Sequence, residues 1–377
     1  MMDDGGTGAG GGTADIAGLM IWGSGMPHPT YGYITNQYLT APDVSSYLYI
    51  TADNVEVFGS NFTATNLGIH VRDVGAGTYI HDNTFTGETN AGVSILRSVA
   101  TISGNTFTDC HLGIRDGGGT VTISDNTFNG GAFGVYVNVG ATGTLTITDN
   151  TIGTAADPIT DYGICIEAGG NVVVNGISDN DITVHGSGGG ILASDIRNVS
   201  FSDNDITVTS DDDLALGISL HSYGDITGRI TGGTITVNGY TFAHGINIAP
   251  STGTIGISGD PLTITGVTIN VNRAGNPAVA GAYAIRLYNT SPSGYIFATV
   301  TGNTANVTAV DRRLFLWLSC THALGNAVDW GSVPGTENTY NAYDLLGNPA
   351  SWSGNYDVGG PTTNGPVNTN FTTGVSP

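Results

Sequence analysis

Ile123-Ser-Asp-Asn-Thr-Phe128 is the stretch that decides the fold, because close copies of it return about every 21 to 36 residues along the chain. The copies are Ile80-His-Asp-Asn-Thr-Phe85, Ile102-Ser-Gly-Asn-Thr-Phe107, Ile147-Thr-Asp-Asn-Thr-Ile152, Ile177-Ser-Asp-Asn-Asp-Ile182 and Phe201-Ser-Asp-Asn-Asp-Ile206. They fade to Ile230-Thr-Gly-Gly-Thr-Ile235, Ile264-Thr-Gly-Val-Thr-Ile269 and Val300-Thr-Gly-Asn-Thr-Ala305. Self-similarity at this period means a solenoid, in which repeats stack because no single repeat can bury its apolar face alone.

Each copy reads as strand, corner and strand. If Ile102 points inward, Asn105 falls at the corner and Phe107 points inward again, leaving Thr106 and Thr108 outward. The corner residues Asn83, Asn105, Asn126, Asn150, Asn180 and Asn204 then stack one per coil, about 4.8 Å apart, as an asparagine ladder. A second mark follows each copy: Gly68-Ile-His-Val71, Gly92-Val-Ser-Ile95, Gly113-Ile-Arg115, Gly134-Val-Tyr-Val137, Gly163-Ile-Cys-Ile166, Gly190-Ile-Leu192, Gly217-Ile-Ser-Leu220 and Gly245-Ile-Asn-Ile248. Here glycine supplies a left-handed or close-packed corner and the flanking branched residues point inward. With the run leading back to the next Ile, three strands form each coil. Apolar residues alternate at period two, as at Val172-Val174 and Ile235-Val237, so the expected class is all-β.

These repeats resemble the right-handed parallel β-helix family of pectate-lyase-like enzymes, phage tailspikes and exported surface proteins of archaea and bacteria. The resemblance implies a single-stranded right-handed parallel β-helix of about 10 coils, three strands per coil, over residues 50–330. Residues 1–49 then form a Gly-rich segment and N-terminal cap, and 331–377 an irregular C-terminal cap or docking tail. The fold hosts lyases, hydrolases, adhesins and passive walls alike, so it does not name an activity.

The chain has 377 residues, 31 of them acidic, against nine arginines and no lysine, for a net charge of −22. That excludes nucleic acid as a partner, since phosphate contacts need a basic stripe. No apolar run approaches a membrane span. The beginning, Met1-Met-Asp-Asp-Gly-Gly, has neither the basic region nor the apolar core of a signal peptide. Cys110, Cys165 and Cys320 are too far apart in sequence for a metal knuckle, and their odd number leaves a thiol for an intermolecular bridge. Asn61, Asn198, Asn289, Asn306 and Asn370 head glycosylation sequons, which so Asn- and Thr-rich a chain also produces by accident.

Polygalacturonase-type hydrolases share this fold, and the resemblance gives the order Asp212 and Asp213, then His244-Gly245, then Arg286. In those roles the carboxylates would act as acid and base, His244 would tune them and Arg286 would hold a uronate carboxylate. Measured from the marker glycines, the set is smeared over roughly 10 to 25 Å, and the motif's lysine is missing. Asp181 and Asp205 occupy equivalent outward positions on neighbouring coils and are the candidate site for weakly bound Ca2+, the one cofactor expected. His221 and His244 are about 16 Å apart along the strand direction and cannot share a metal.

The outward positions after the ladder form a regular array that includes Thr84 and Thr86, Thr106 and Thr108, and Thr234 and Thr236. Flat Thr-x-Thr arrays resemble ice-binding surfaces, but also an ordinary parallel strand face, where Thr is favoured. Regularity everywhere and a convergent cluster nowhere lead to the expectation of an extracellular structural or adhesive surface protein. It would self-assemble, with itself or other surface components, as a sheath, surface layer or appendage. The alternative is a polysaccharide-active enzyme, a hydrolase or calcium-dependent lyase, with a cleft in the C-terminal coils.

Overall fold

The computed structural model describes residues 48–343 apart from 51–52, 54, 64–65, 168–171, 197, 212, 276–280, 290, 292–293, 310–311, 321–326 and 330–337. It also gives the backbone of the strands Leu19–Met20, Gln37–Thr40 and Thr372–Thr373. Packing divides the chain into two compact units, Met1–Ile159 with Ile164–Val172, and Thr160–Gly163 with Val173–Pro377. Each is a parallel β-helix with three faces. Face one carries the strand before the ladder corner, face two the short strand after it, and face three the strand after the marker glycine. Across the two units face three comprises 11 strands, from Leu48–Ile50 to Arg312–Cys320, in line with about 10 coils.

In the first unit, Ser98–Ser103 on face one pairs in parallel with Thr78–His81 and Gly119–Ser124, setting Ile80, Ile102 and Ile123 in one inward column. On face two, Phe62, Phe85, Phe107 and Phe128 stack with ring centroids 4.8, 4.8 and 4.7 Å apart. All four side chains are buried. Successive parallel strands are about 4.8 Å apart, so identical residues at identical register must stack face to face.

The predicted ladder is present. Asn83 Nδ2 donates to Asn105 Oδ1, Asn105 Nδ2 to Asn126 Oδ1 and Asn126 Nδ2 to Asn150 Oδ1, each at 3.0 Å. In the second unit Asn180 Nδ2 donates to Asn204 Oδ1 at 2.9 Å, and a further rung joins Asn303 to Asn338 at 3.0 Å. Each amide also caps backbone: Asn105 Nδ2 donates to the carbonyls of Ile80 and Ser103, while the backbone N–H of Asn105 donates to Asn126 Oδ1. Buried peptide groups at the corner are thereby paired.

The left-handed corner lies one residue before the ladder, not at the marker glycine. Asp82, Asp125, Asp149, Asp179 and Asp203 have φ between 53° and 58°, and Gly59, Gly104, Gly232, Gly266 and Gly302 hold the same place in other coils. Asp and Gly tolerate this region best. The marker glycines serve close approach: a Cβ on Gly92 would lie 2.6 Å from the Phe107 ring and 3.0 Å from the Gly113 carbonyl.

Parallel pairing passes the expected ends of the helix. Gln37–Thr40 pairs with Ser60–Thr63, and Thr339–Tyr343 pairs with Thr304–Thr308. Leu19–Met20 runs antiparallel on Glu56 and Val57. No described helix is long and apolar enough to cross a membrane.

Candidate functional site

The position two residues after each marker glycine is chemically varied on face three, and several of its side chains, Ser94, Cys165, Ser219 and Asn247, are themselves buried. In the second unit, strands Ala215–Ser222, Ala243–Pro250 and Gly281–Asn289 are 8, 8 and 9 residues long, among the longest in the molecule. Their register places Ser219 beside Asn247, and Asn247 beside Arg286. Arg286 Nη1 donates to Asn247 Oδ1 at 2.7 Å, and Asn247 Nδ2 donates to Ser219 Oγ at 3.1 Å. Ser219 Oγ and His221 Nε2 share a hydrogen bond of 3.0 Å. The Arg286 guanidinium lies 4.3 Å from the centre of the Tyr288 ring.

Burial lowers the pKa of Arg286 below the usual range. Burial, and then the charge of Arg286, also lower His221. His244 is 7% exposed, both ring nitrogens lack a hydrogen-bond partner, and burial followed by Arg286 takes it down to about 3. It is therefore a neutral imidazole packed between Phe242 and Tyr283, at 6.0 and 5.0 Å.

Of the hydrolase set, Asp213, His244 and Arg286 stand at different register positions. His244 pairs in register with Leu216 and Tyr283, so Asp213 lies three residues before that line and Arg286 three after it. The three residues of strand from the His244 line to Arg286 alone correspond to about 10 Å. Asp213 instead belongs to an exposed turn: its N–H donates to Ser210 Oγ at 3.2 Å, and its Oδ1 accepts from the Thr241 hydroxyl at 3.4 Å. Asp212 lies outside the described residues.

Asp181 and Asp205 do stand side by side in register. Burial, and then the Asp205 charge, raise Asp181, as expected of neighbouring carboxylates. Asp205 Oδ1 already accepts from the Thr234 N–H at 2.8 Å. Among the described residues no three His, Cys, Asp or Glu side chains gather for a metal.

Cys110 and Cys165 are in no disulfide and are buried, at 2% and 1% exposure, which puts both out of reach of an intermolecular bridge. The side chain of Cys320 lies outside the described residues. The sequon residue Asn289 is wholly buried, with Nδ2 bonded to the carbonyls of Gly253 and Tyr295.

Face three of the first unit carries a second polar column, in which His70, Ser94, Arg115 and Tyr136 follow one another in register. Tyr49 stacks on His70 at 5.3 Å, and Tyr136 donates to Glu167 at 2.6 Å, which lifts its phenol to about 12. A reading of the sequence centred on the ladder passes over Ser219, Asn247 and Tyr288. The readable signal is the variable residue after Gly-Ile: Ser219, Asn247 and, after Ala284-Ile, Arg286.

Residues 46–206 match the family model described as the right handed beta helix region. They are a right-handed β-helix region. No curated protein and no solved structure matches the chain. In this β-helix the two kinds of surface are separated by face: repetitive Thr and Asn on face two, varied polar and aromatic groups on face three.

Proposed function

We propose that the protein is an extracellular structural or adhesive surface protein that assembles with itself or with other surface components through flat faces. The observation that carries this reading is an outward amide ladder on face two of the second unit. Asn270 Nδ2 donates to Thr236 Oγ1 at 3.3 Å, Asn306 Nδ2 to Asn270 Oδ1 at 2.8 Å and Asn341 Nδ2 to Asn306 Oδ1 at 2.8 Å. Beside it Asn272 Nδ2 donates to Asn238 Oδ1 at 2.8 Å. Tying surface side chains to one another fixes their rotamers before any partner arrives, which lowers the ordering cost of association. The test is sedimentation and electron microscopy of the full chain against Asn270→Arg and Asn306→Arg variants. Ordered assemblies that the substitutions abolish without changing the melting temperature are expected, and a monomer at all concentrations would sink the reading.

The half-buried His221, Arg286 and Tyr288, tied to the buried Ser219 and Asn247, favour a second reading, contact with a polysaccharide on face three. Arg286 offers charge-assisted bonds and Tyr288 an aromatic surface. Calorimetric titration with polyuronates, comparing wild type with Arg286→Ala, tests it; equal heats for both proteins would remove it.

A further inference from the structure

Face two differs between the units. In the second, outer amides bond to one another and to the hydroxyls of Thr209 and Thr236, beside a column of Thr234, Thr268 and Thr304 in register. In the first, the outward residues are Asn61, Thr84, Thr106, Thr127 and Thr151 in one column, with Thr63, Thr86, Thr108 and Asn129 beside it, all held in register by backbone pairing. Among the described residues, the hydroxyls of Thr84, Thr86, Thr106, Thr108, Thr127 and Thr151 make no hydrogen bond within the protein. No charged side chain interrupts the two columns.

The spacing of these hydroxyls is imposed from behind. The stacked rings of Phe62, Phe85, Phe107 and Phe128 repeat at 4.7 to 4.8 Å, directly beneath the threonines that flank them in each strand. Water in a tetrahedral network has oxygens about 2.75 Å apart, so oxygens two bonds apart are separated by about 4.5 Å. The array thus presents hydroxyls at nearly the second-neighbour spacing of ordered water, with methyl groups between them and no internal partner competing. Its extent argues against a second protein copy as the occupant. Five rows about 4.8 Å apart and two columns about 6.7 Å apart cover roughly 200 to 300 Å², far less than the roughly 800 Å² per partner of a stable protein interface.

We propose that face two of the first unit is an ice-binding surface whose ligand is the ordered water of a growing crystal face. Its spacing and unpaired hydroxyls are independent of the self-assembly reading.

The experiment is uptake of the full chain into a slowly growing ice hemisphere, together with microscopy of ice crystal shape. The absence of lysine lets an amine-reactive dye label only the N-terminus. Wild type is expected to enter the ice and facet the crystals. Thr106→Arg should lose both effects at an unchanged melting temperature, whereas Thr236→Arg in the second unit should behave as wild type. Thr106→Val, which keeps the shape and removes one hydroxyl, serves where Thr106→Arg does not fold and should show reduced uptake. Exclusion of wild type from the ice overturns the proposal, as does undiminished uptake of the folded Thr106 variants. Sedimentation of the same samples separates the two readings: a dimer that Thr106→Arg dissociates would make a second copy the ligand and likewise overturn it, while assembly lost only in Asn270→Arg would leave it standing.

Discussion

Phe107 and Phe128 lie one coil apart with ring centroids separated by 4.7 Å and planes 8° from parallel. The rings reach across the narrow core to the marker glycines of face three, Phe107 against Gly92 and Phe128 against Gly113. Phenylalanine in the ladder repeat and glycine in the following mark are therefore one packing unit, although they belong to different strands.

Gly113→Ala is expected to destabilise the first unit by about 1 to 3 kcal/mol, because the new methyl overlaps the Phe128 ring and the Gly134 carbonyl and the close-packed core has no room to yield. Gly140 has φ of 81° and open space within 4 Å of where a methyl would sit, so its substitution by Ala carries only the left-handed backbone penalty. That penalty is about 1 to 2 kcal/mol. Thermal melts of Gly113→Ala, Gly140→Ala and a Gly113→Ala Phe128→Leu double variant check this. The double variant should recover part of the loss.

Replacing a ladder residue costs more than its side-chain volume suggests. In Asn126→Leu, the N–H and Nδ2 of Asn105 lose their acceptor, and the carbonyls of Ile102 and Ser124 lose a donor. Stranding several buried polar groups costs on the order of 3 kcal/mol or more. Denaturant unfolding should show that loss, whereas Asn270→Thr on the outer ladder should change stability by less than about 1 kcal/mol.

Asp116 gives the first unit a pH dependence. It is 2% exposed, and burial pushes it up to about 6 against the pull of the Gly118 N–H, which donates to Oδ1 at 2.7 Å. The folded value is above the unfolded one, so this group's contribution is fully present below about pH 4 and is lost as pH rises through about 6. Ionising it in place costs on the order of 3 kcal/mol. Asp116→Asn keeps the acceptor and should raise the neutral-pH melting temperature while flattening its change between pH 4 and 7. A lower melting temperature at pH 7 would refute this account.

The buried thiols should be chemically silent in the folded protein. Burial lifts Cys110 to about 12, and only the thiolate is nucleophilic. In a Cys320→Ser background, a disulfide-exchange reagent at pH 8 should titrate no thiol in the native state and two per chain after unfolding.

The inner architecture is legible because it is enforced at every coil. Asn83 to Asn204 can be assigned as a ladder from spacing alone, since an amide at a parallel corner has no other repeated partner than its copy one coil away. Asn303 and Asn338 belong to a ladder as well; the copy around Asn303 still keeps Gly-Asn-Thr, but Gly335-Thr-Glu-Asn-Thr-Tyr340 retains only Asn-Thr and has lost the apolar residues that make the earlier copies recognisable. The left-handed corner falls away from the glycine that the repeat alone points to, because sequence distinguishes neither a positive φ from a missing Cβ nor Asp125 as a substitute for Gly104. The alignment of Arg286 with Asn247 and Ser219 is hidden because the coils differ in length, so equal register corresponds to unequal sequence spacing.

The repeat by itself determined the coil: inward Ile and Phe, stacked Asn, outward Thr, all from period-two alternation and a recurring corner. What required the tertiary structure was the chemistry between coils. It moved Asp213 away from Arg286 and enclosed His244 among aromatic rings. It also tied the outer amides of one unit together while leaving the hydroxyls of Thr84, Thr106, Thr127 and Thr151 in the other without protein partners. Local alternation decides which way a side chain points, but only the stacking register decides what it meets there.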